Sequence, residues 1–160
     1  MLPNEGSANS FWAHEWGKHG TCVSSLVPKC YPDDPESPPH REVLDYFTIL
    51  TSLFRTRDTY ATLAAAGIEP SDSQTFSLDE LLEPLSAQHG APVILRCKKV
   101  HKVHYLDEVW YPFAVRGALQ SGIFVPAAPY SSSESTCPED RIHYPPNNEN
   151  GQDGVLVVDL

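Results

Sequence analysis

Apolar positions along this chain follow two different rhythms. Between residues 43 and 54, Val43, Tyr46, Phe47, Leu50, Leu53 and Phe54 recur at steps of three and four, which lines one stripe of an α-helix. A second helical piece, residues 60–66, ends at Gly67, a residue suited to a helix C-terminus. Ser77 followed by Glu80 has the form of a capping box. It opens a short helix through about Gln88, which Pro84 is expected to bend. After Gly90 the rhythm changes. Residues 93–97 and 109–115 are β-branched and aromatic, as strands are, and residues 123–125 and 155–158 are two further candidates. Pro112 pushes its strand toward an edge or a bulge. Residues 28–39 hold five prolines and read as an extended surface loop, and residues 126–151, rich in Pro, Ser and Asn, read as a second one. No repeat or linker divides the chain, so one domain over residues 1–160 is expected. Helices precede strands, which predicts an α+β class.

Composition narrows what such a domain does. At 160 residues and 17.7 kDa there is enough chain for one core, and 41% apolar with 20% charged residues describes a globular rather than a disordered protein. No apolar run approaches the roughly 20 residues of a membrane-spanning helix. The first twelve residues, MLPNEGSANSFW, lack the basic start and apolar stretch of a secretory signal. Eleven Lys and Arg against 21 Asp and Glu leave a net charge of −10. That argues against a protein that coats nucleic acid with a basic face, but not against an enzyme that grips a phosphate locally. The four cysteines, Cys22, Cys30, Cys97 and Cys137, form no C-x-x-C, so neither a zinc ribbon nor a thioredoxin-type pair is written here. Fully oxidised, they would allow three pairings.

The least ordinary stretch is residues 11–22, FWAHEWGKHGTC. Wound as a helix at about 100° per residue, with His14 at zero, Lys18 falls near 40°, Phe11 near 60°, Glu15 near 100° and His19 near 140°. Four groups able to move protons or hold a phosphate therefore share one face with an aromatic ring. Trp12 and Trp16 fall at about 160° and 200°, where they would pin the helix to the core. Zinc is disfavoured: His14 and His19 stand one residue further apart than H-E-x-x-H requires, and Lys18 brings a cation into the patch. Two readings remain. One is a solvated helix on which Glu15 pairs with Lys18 and His19, worth a few tenths of a kcal/mol. The other is catalysis on an RNA phosphodiester. A base must take the 2′-hydroxyl proton, an acid must serve the leaving 5′-oxygen, and cations must hold the crowded phosphorane. Histidine suits the proton steps, lysine the phosphate oxygens, and an aromatic ring a stacked base.

Phe11-Trp12-x-His14-Glu15-Trp16-x-Lys18-His19-Gly20-Thr21-Cys22 resembles the second active-site segment of the ribonuclease T2 family, the secreted acid endoribonucleases. The Ala64-Ala65-Ala66-Gly67-Ile68 run and Leu106-x-Glu108-Val109-Trp110-Tyr111 are similar to later parts of its fungal members, so the resemblance extends from Phe11 to about Cys137. It implies a ribonuclease T2-like fold, with helices packed on an antiparallel sheet. His19 would act as general base, Glu15 with Lys18 would stabilise the pentacoordinate phosphate, His14 would bind phosphate, and Phe11 would help form a base pocket. RNA would be cut through a 2′,3′-cyclic phosphate to 3′-phosphate ends, without metal or other cofactor, by a monomer with no membrane partner. Cys97 and Cys137 match the family's late disulfide, whereas the counterparts of Cys22 and Cys30 pair with cysteines further upstream.

The family also has an earlier segment built around His-Gly-Leu-Trp-Pro, whose His protonates the leaving group. Only ten residues precede Phe11 here, and none is His. The resemblance thus implies an N-terminally truncated member lacking the strands that carry that segment, with the signal peptide of a secretory-pathway protein also upstream. A rival expectation follows, that of a catalytically impaired relic that binds RNA or protein. A metal hydrolase, the third alternative, would require activity that chelators abolish. The other histidines, His40, His89, His101, His104 and His143, sit in unmatched contexts and read as solvated or structural. Arg96, Lys98, Lys99, His101, Lys102 and His104 crowd one short segment of an acidic chain. A solvated hairpin tip is the plain reading, and an RNA-backbone contact is the sharper one.

Overall fold

Helix α2 forms where the apolar stripe predicts it, over Arg41–Arg55. The computed structural model describes residues 8–32, 36–130, 134–146 and 155–157. It resolves into two compact units, Met1–Arg55 with Val115–Phe124, and Thr56–Ala114 with Val125–Leu160.

In the first unit, helix α1 (Ala8–Lys18) is followed by three short 3₁₀ turns, Gly20–Cys22, Ser24–Leu26 and Pro28–Cys30, and then by α2. Leu26, Tyr46 of α2 and Leu119 form the buried centre, against which Trp16, Phe47, Ile49 and Leu50 pack. Both tryptophans of α1 meet the aromatic side of α2. Trp16 lies edge-on to Tyr46 at 5.6 Å, and Trp12 edge-on to Phe47 at 4.7 Å, although Trp12 keeps 44% of its surface exposed. The stripe is not buried along its whole length: Phe54, at its far end, is exposed because the unit's core is centred about two turns earlier, at Tyr46. The Leu119 amide donates to Ser25 Oγ (3.0 Å) and the Gln120 side chain donates to the Ser25 carbonyl (2.5 Å), which ties the 115–124 segment to the 3₁₀ turns.

The second unit holds α3 (Thr59–Ala65), α4 (Leu78–His89) and most strands. Asp58 caps α3 by accepting the Ala61 amide, and Gly67 takes the left-handed conformation (φ 79°) just beyond its end. The capping box of α4 is present as expected, with Ser77 Oγ accepting the Glu80 amide and the Glu80 carboxylate accepting the Ser77 amide. The helix runs on through Pro84 to His89, and Leu81, Leu85 and His89 form its buried face. Strands β1 (Thr75–Phe76), β2 (Ile94–Val100), β3 (Val103–Trp110) and β6 (Ile142–His143) lie in the order β1-β6-β3-β2, with β7 (Val155–Val157) also paired to β3. Strands β4 (Phe113–Arg116) and β5 (Ile123–Pro126) make a separate pair.

The α+β class is confirmed, but three finer expectations need correction. The main sheet is mixed rather than antiparallel: β2–β3 and β1–β6 run antiparallel, while β6 and β7 run parallel to β3. Tight hairpins force antiparallel pairing, whereas β6 and β7 reach β3 through long connections that permit either direction. The 109–115 run is two strands, not one, because Tyr111-Pro112 interrupts it; the Pro112 carbonyl turns away to accept Ala127 N–H and the His89 ring. The proline-rich stretch after residue 126 contains β6, too short a strand to have an apolar rhythm of its own. Its 135–137 segment also closes the outer edge of β2. Ser135 Oγ accepts the Leu95 amide, Thr136 Oγ1 accepts the Cys97 amide, and the Thr136 amide donates to the Leu95 carbonyl, all at 3.0 Å. The Cys97–Cys137 disulfide bolts this segment down.

His89 is 2% exposed, and its hydrogen bonds define its tautomer. Arg57 Nε–H donates to Nδ1 at 3.1 Å, so that nitrogen is bare and Nε2–H donates to the Pro112 carbonyl at 2.8 Å. The rings of Tyr111 and Phe113 lie edge-on at 5.3 and 5.0 Å. Burial above all, then the Arg57 charge, holds the His89 pKa below the ordinary imidazole value, against the opposing pull of the Pro112 carbonyl. The native state therefore binds fewer protons than the unfolded chain once pH drops below about 6.5. Urea unfolding should show stability present at pH 7 and declining as pH falls through that value. His89→Gln, whose amide can replace both bonds but does not titrate, should decline less steeply. Equal slopes for the two proteins would remove His89 as the cause.

Candidate active site

The residues singled out at 11–19 occupy α1 and the step just beyond it. The backbone is helical through Lys18, and the His19 amide still donates to the Glu15 carbonyl at 3.0 Å, so the helical spacing carries to His19. There the chain tightens into the Gly20–Cys22 turn. Gly20 is buried and passes so close to the Trp16 indole that a Cβ would overlap the ring. Periodicity could not reveal the need for a glycine there, because its reason lies in contact with Trp16. Thr21 Oγ1 donates to the Gly17 carbonyl (3.0 Å), and the Cys22 thiol to the Lys18 carbonyl (3.5 Å), so the last turn of α1 has few bare carbonyls.

Of the five candidates, one pair is in direct ionic reach: His19 Nε2 lies 4.0 Å from Glu15 Oε2. Glu15 is half-buried and His19 about half exposed, so the carboxylate can orient an imidazole that still faces solvent. His14 and Lys18 are exposed, and Phe11 is half-buried with its ring edge-on to Trp12 at 5.5 Å. The helix C-terminus carries a partial negative charge of about half a unit, which repels a phosphate; Lys18, in that last turn, more than offsets it. The face thus offers a paired imidazole, a second imidazole and an ammonium group to an incoming anion.

Cys97 and Cys137 are joined, whereas Cys22 and Cys30 are free, exposed thiols. Among the described residues no three His, Cys, Asp or Glu side chains converge as metal ligands would, and no helix is long and apolar enough to cross a membrane.

The chain has relatives among known proteins. Ribonuclease Trv of Hypocrea rufa is 48% identical over 142 residues, covering 89% of this chain and 57% of that protein. A ribonuclease T2-like protein of Aspergillus fumigatus is 45% identical, covering 88% of this chain and 33% of its own length. The chain therefore spans between a third and somewhat over half of these relatives. Among solved structures, the T2 ribonuclease Actibind superposes with a TM-score of 0.72 at 34% identity, over 86% of this chain and 54% of that one. The Ribonuclease T2 family model matches residues 2–125, which take in α1 and every candidate side chain on it, and the chain belongs to the ribonuclease T2 family.

Proposed function

We propose that α1 carries the proton-abstracting and phosphate-holding part of an endoribonuclease site. His19 takes the proton of an RNA 2′-hydroxyl, the freed oxygen attacks the adjacent phosphorus, and the bond from phosphorus to the 5′-oxygen breaks, the leaving oxygen taking its proton from water. Glu15 holds the imidazole in place, while Lys18 and His14 hold the non-bridging oxygens as charge gathers on the phosphorane. Phe11 offers a stacking face to a base. Hydrolysis of the resulting 2′,3′-cyclic phosphate leaves a 3′-phosphate end. The observation that carries this reading is the Glu15–His19 pair beside a lysine on one solvated helix face, in a chain of a ribonuclease family. The Cys97–Cys137 bond supports a secretory route, since disulfides persist in oxidising compartments.

Incubating the purified chain with single-stranded RNA and analysing the new ends tests the proposal. Fragments ending in 2′,3′-cyclic phosphate, formed equally with and without a chelator, are expected. Ends carrying 5′-phosphate, or activity that the chelator abolishes, would replace it with metal-dependent hydrolysis.

A further inference from the structure

We propose that the tip of the β2–β3 hairpin is a second RNA contact, a surface that grips a phosphodiester backbone in its own right; it rests on the RNA-cleaving reading above. Four of the chain's eleven Lys and Arg residues, Arg96, Lys98, Lys99 and Lys102, lie within this hairpin. Arg96 is engaged, its guanidinium 4.6 Å over the Trp110 ring. Lys98, Lys99, His101 and Lys102 are exposed, and among the described residues no carboxylate stands within ion-pair distance of any of the three ammonium groups. The concentration is local, in a chain of net charge −10. The hairpin's own acids, Asp107 and Glu108, lie toward the end away from the turn, Glu108 opposite Arg96. At physiological salt, charges more than about 8 Å away are largely screened, so a phosphate at the turn meets the lysines first.

The backbone of the tip is a poor choice on structural grounds alone. Val100 pairs with Val103, leaving His101 and Lys102 as a two-residue turn with φ of 47° and 71°. Both turn positions are left-handed, the conformation for which Asn-Gly is preferred and which side-chain-bearing residues resist. Lys99 stands directly opposite His104 across the ladder, where a carboxylate would stabilise the pair. A sequence selected only to close this hairpin would have neither feature. Residues held in a disfavoured backbone conformation cluster at functional sites, and here they include a lysine and a histidine.

Binding of an uncleavable 2′-O-methyl oligoribonucleotide, titrated against salt, tests the assignment. For K98Q/K99Q/K102Q, the slope of log affinity against log salt should become shallower by about 2, from roughly 0.7 per lost contact on a single strand. Between about 50 and 200 mM salt, that is roughly a 15- to 20-fold smaller loss of affinity. K29Q/R55Q/R116Q, which removes the same charge elsewhere, should leave the slope as it was. An unchanged slope in the first variant, or equal changes in both, overturns the proposal. So does an unchanged RNA slope with lost binding to phosphatidylserine vesicles, which would assign the tip to membranes. H101N/K102G should raise Tm by relieving the turn and yet make the slope shallower by about 0.7; a higher Tm with no change in slope would make the tip merely strained. Dinucleotide cleavage should be the same in the parent chain and in K98Q/K99Q/K102Q. If the parent chain cleaves no dinucleotide, the α1 reading fails, while the salt slope still judges the hairpin.

Discussion

Replacing His19 with alanine should slow RNA cleavage by about 10²- to 10⁴-fold, the usual worth of one positioned proton-transfer group. That is roughly 3–5 kcal/mol of transition-state stabilisation. The loss should fall on kcat and leave KM nearly as it was, because the phosphate contacts proposed for Lys18 and His14 are left in place. Stability should change by less than about 0.5 kcal/mol, since the imidazole is roughly half exposed and the Glu15 carboxylate it leaves is partly solvated. Glu15→Gln should slow the reaction less than His19→Ala, because it removes the orienting charge and leaves the base. Cleavage that survives His19→Ala would discredit His19 as the base even if the chain proves to be a ribonuclease.

Breaking the Cys97–Cys137 bond should have the largest effect on stability. It closes a 40-residue separation, worth about 4 kcal/mol on the chain-entropy account. Against a typical domain stability of about 5–15 kcal/mol, that is a large share. The bond also fastens Ser135 and Thr136 to the outer edge of β2. Its loss should therefore release the amides of Leu95 and Cys97 to hydrogen exchange before the rest of the sheet. The clean comparison is C97A/C137A against its parent, both with Cys22 and Cys30 changed to serine so that the free thiols cannot exchange. A urea-derived loss below about 1 kcal/mol, or uniform exchange across the sheet, would mean that the 135–137 segment holds without its bolt.

Legibility from the sequence followed the range of the interactions involved. The helices α2, α3 and α4 and the capping box are local affairs, decided by side chains three or four apart, and all were readable. So was the shared face of His14, Glu15, Lys18 and His19, because helical geometry alone brings them together. The 103–108 part of β3 was not: His104, Asp107 and Glu108 carry no strand rhythm, and the segment is a strand because β2 pairs along one side and β6 and β7 along the other. His89 read as one more solvated or structural histidine, since nothing near it in sequence announces Arg57 or the Pro112 carbonyl.

The sequence by itself determined the α+β class, the helices, the composition of the α1 face and the family to which that face points. Each depends on spacing of a few residues or on residue type, and a one-dimensional string holds both. Tertiary structure alone decided the mixed direction of the sheet, the interruption at Pro112, the buried tautomer of His89 and the close pass of Gly20 beneath Trp16. It also decided that the basic run becomes a hairpin whose two turn residues are left-handed. These depend on partners brought together by burial and long-range pairing, and which partner arrives is settled only when the whole chain competes for the same core.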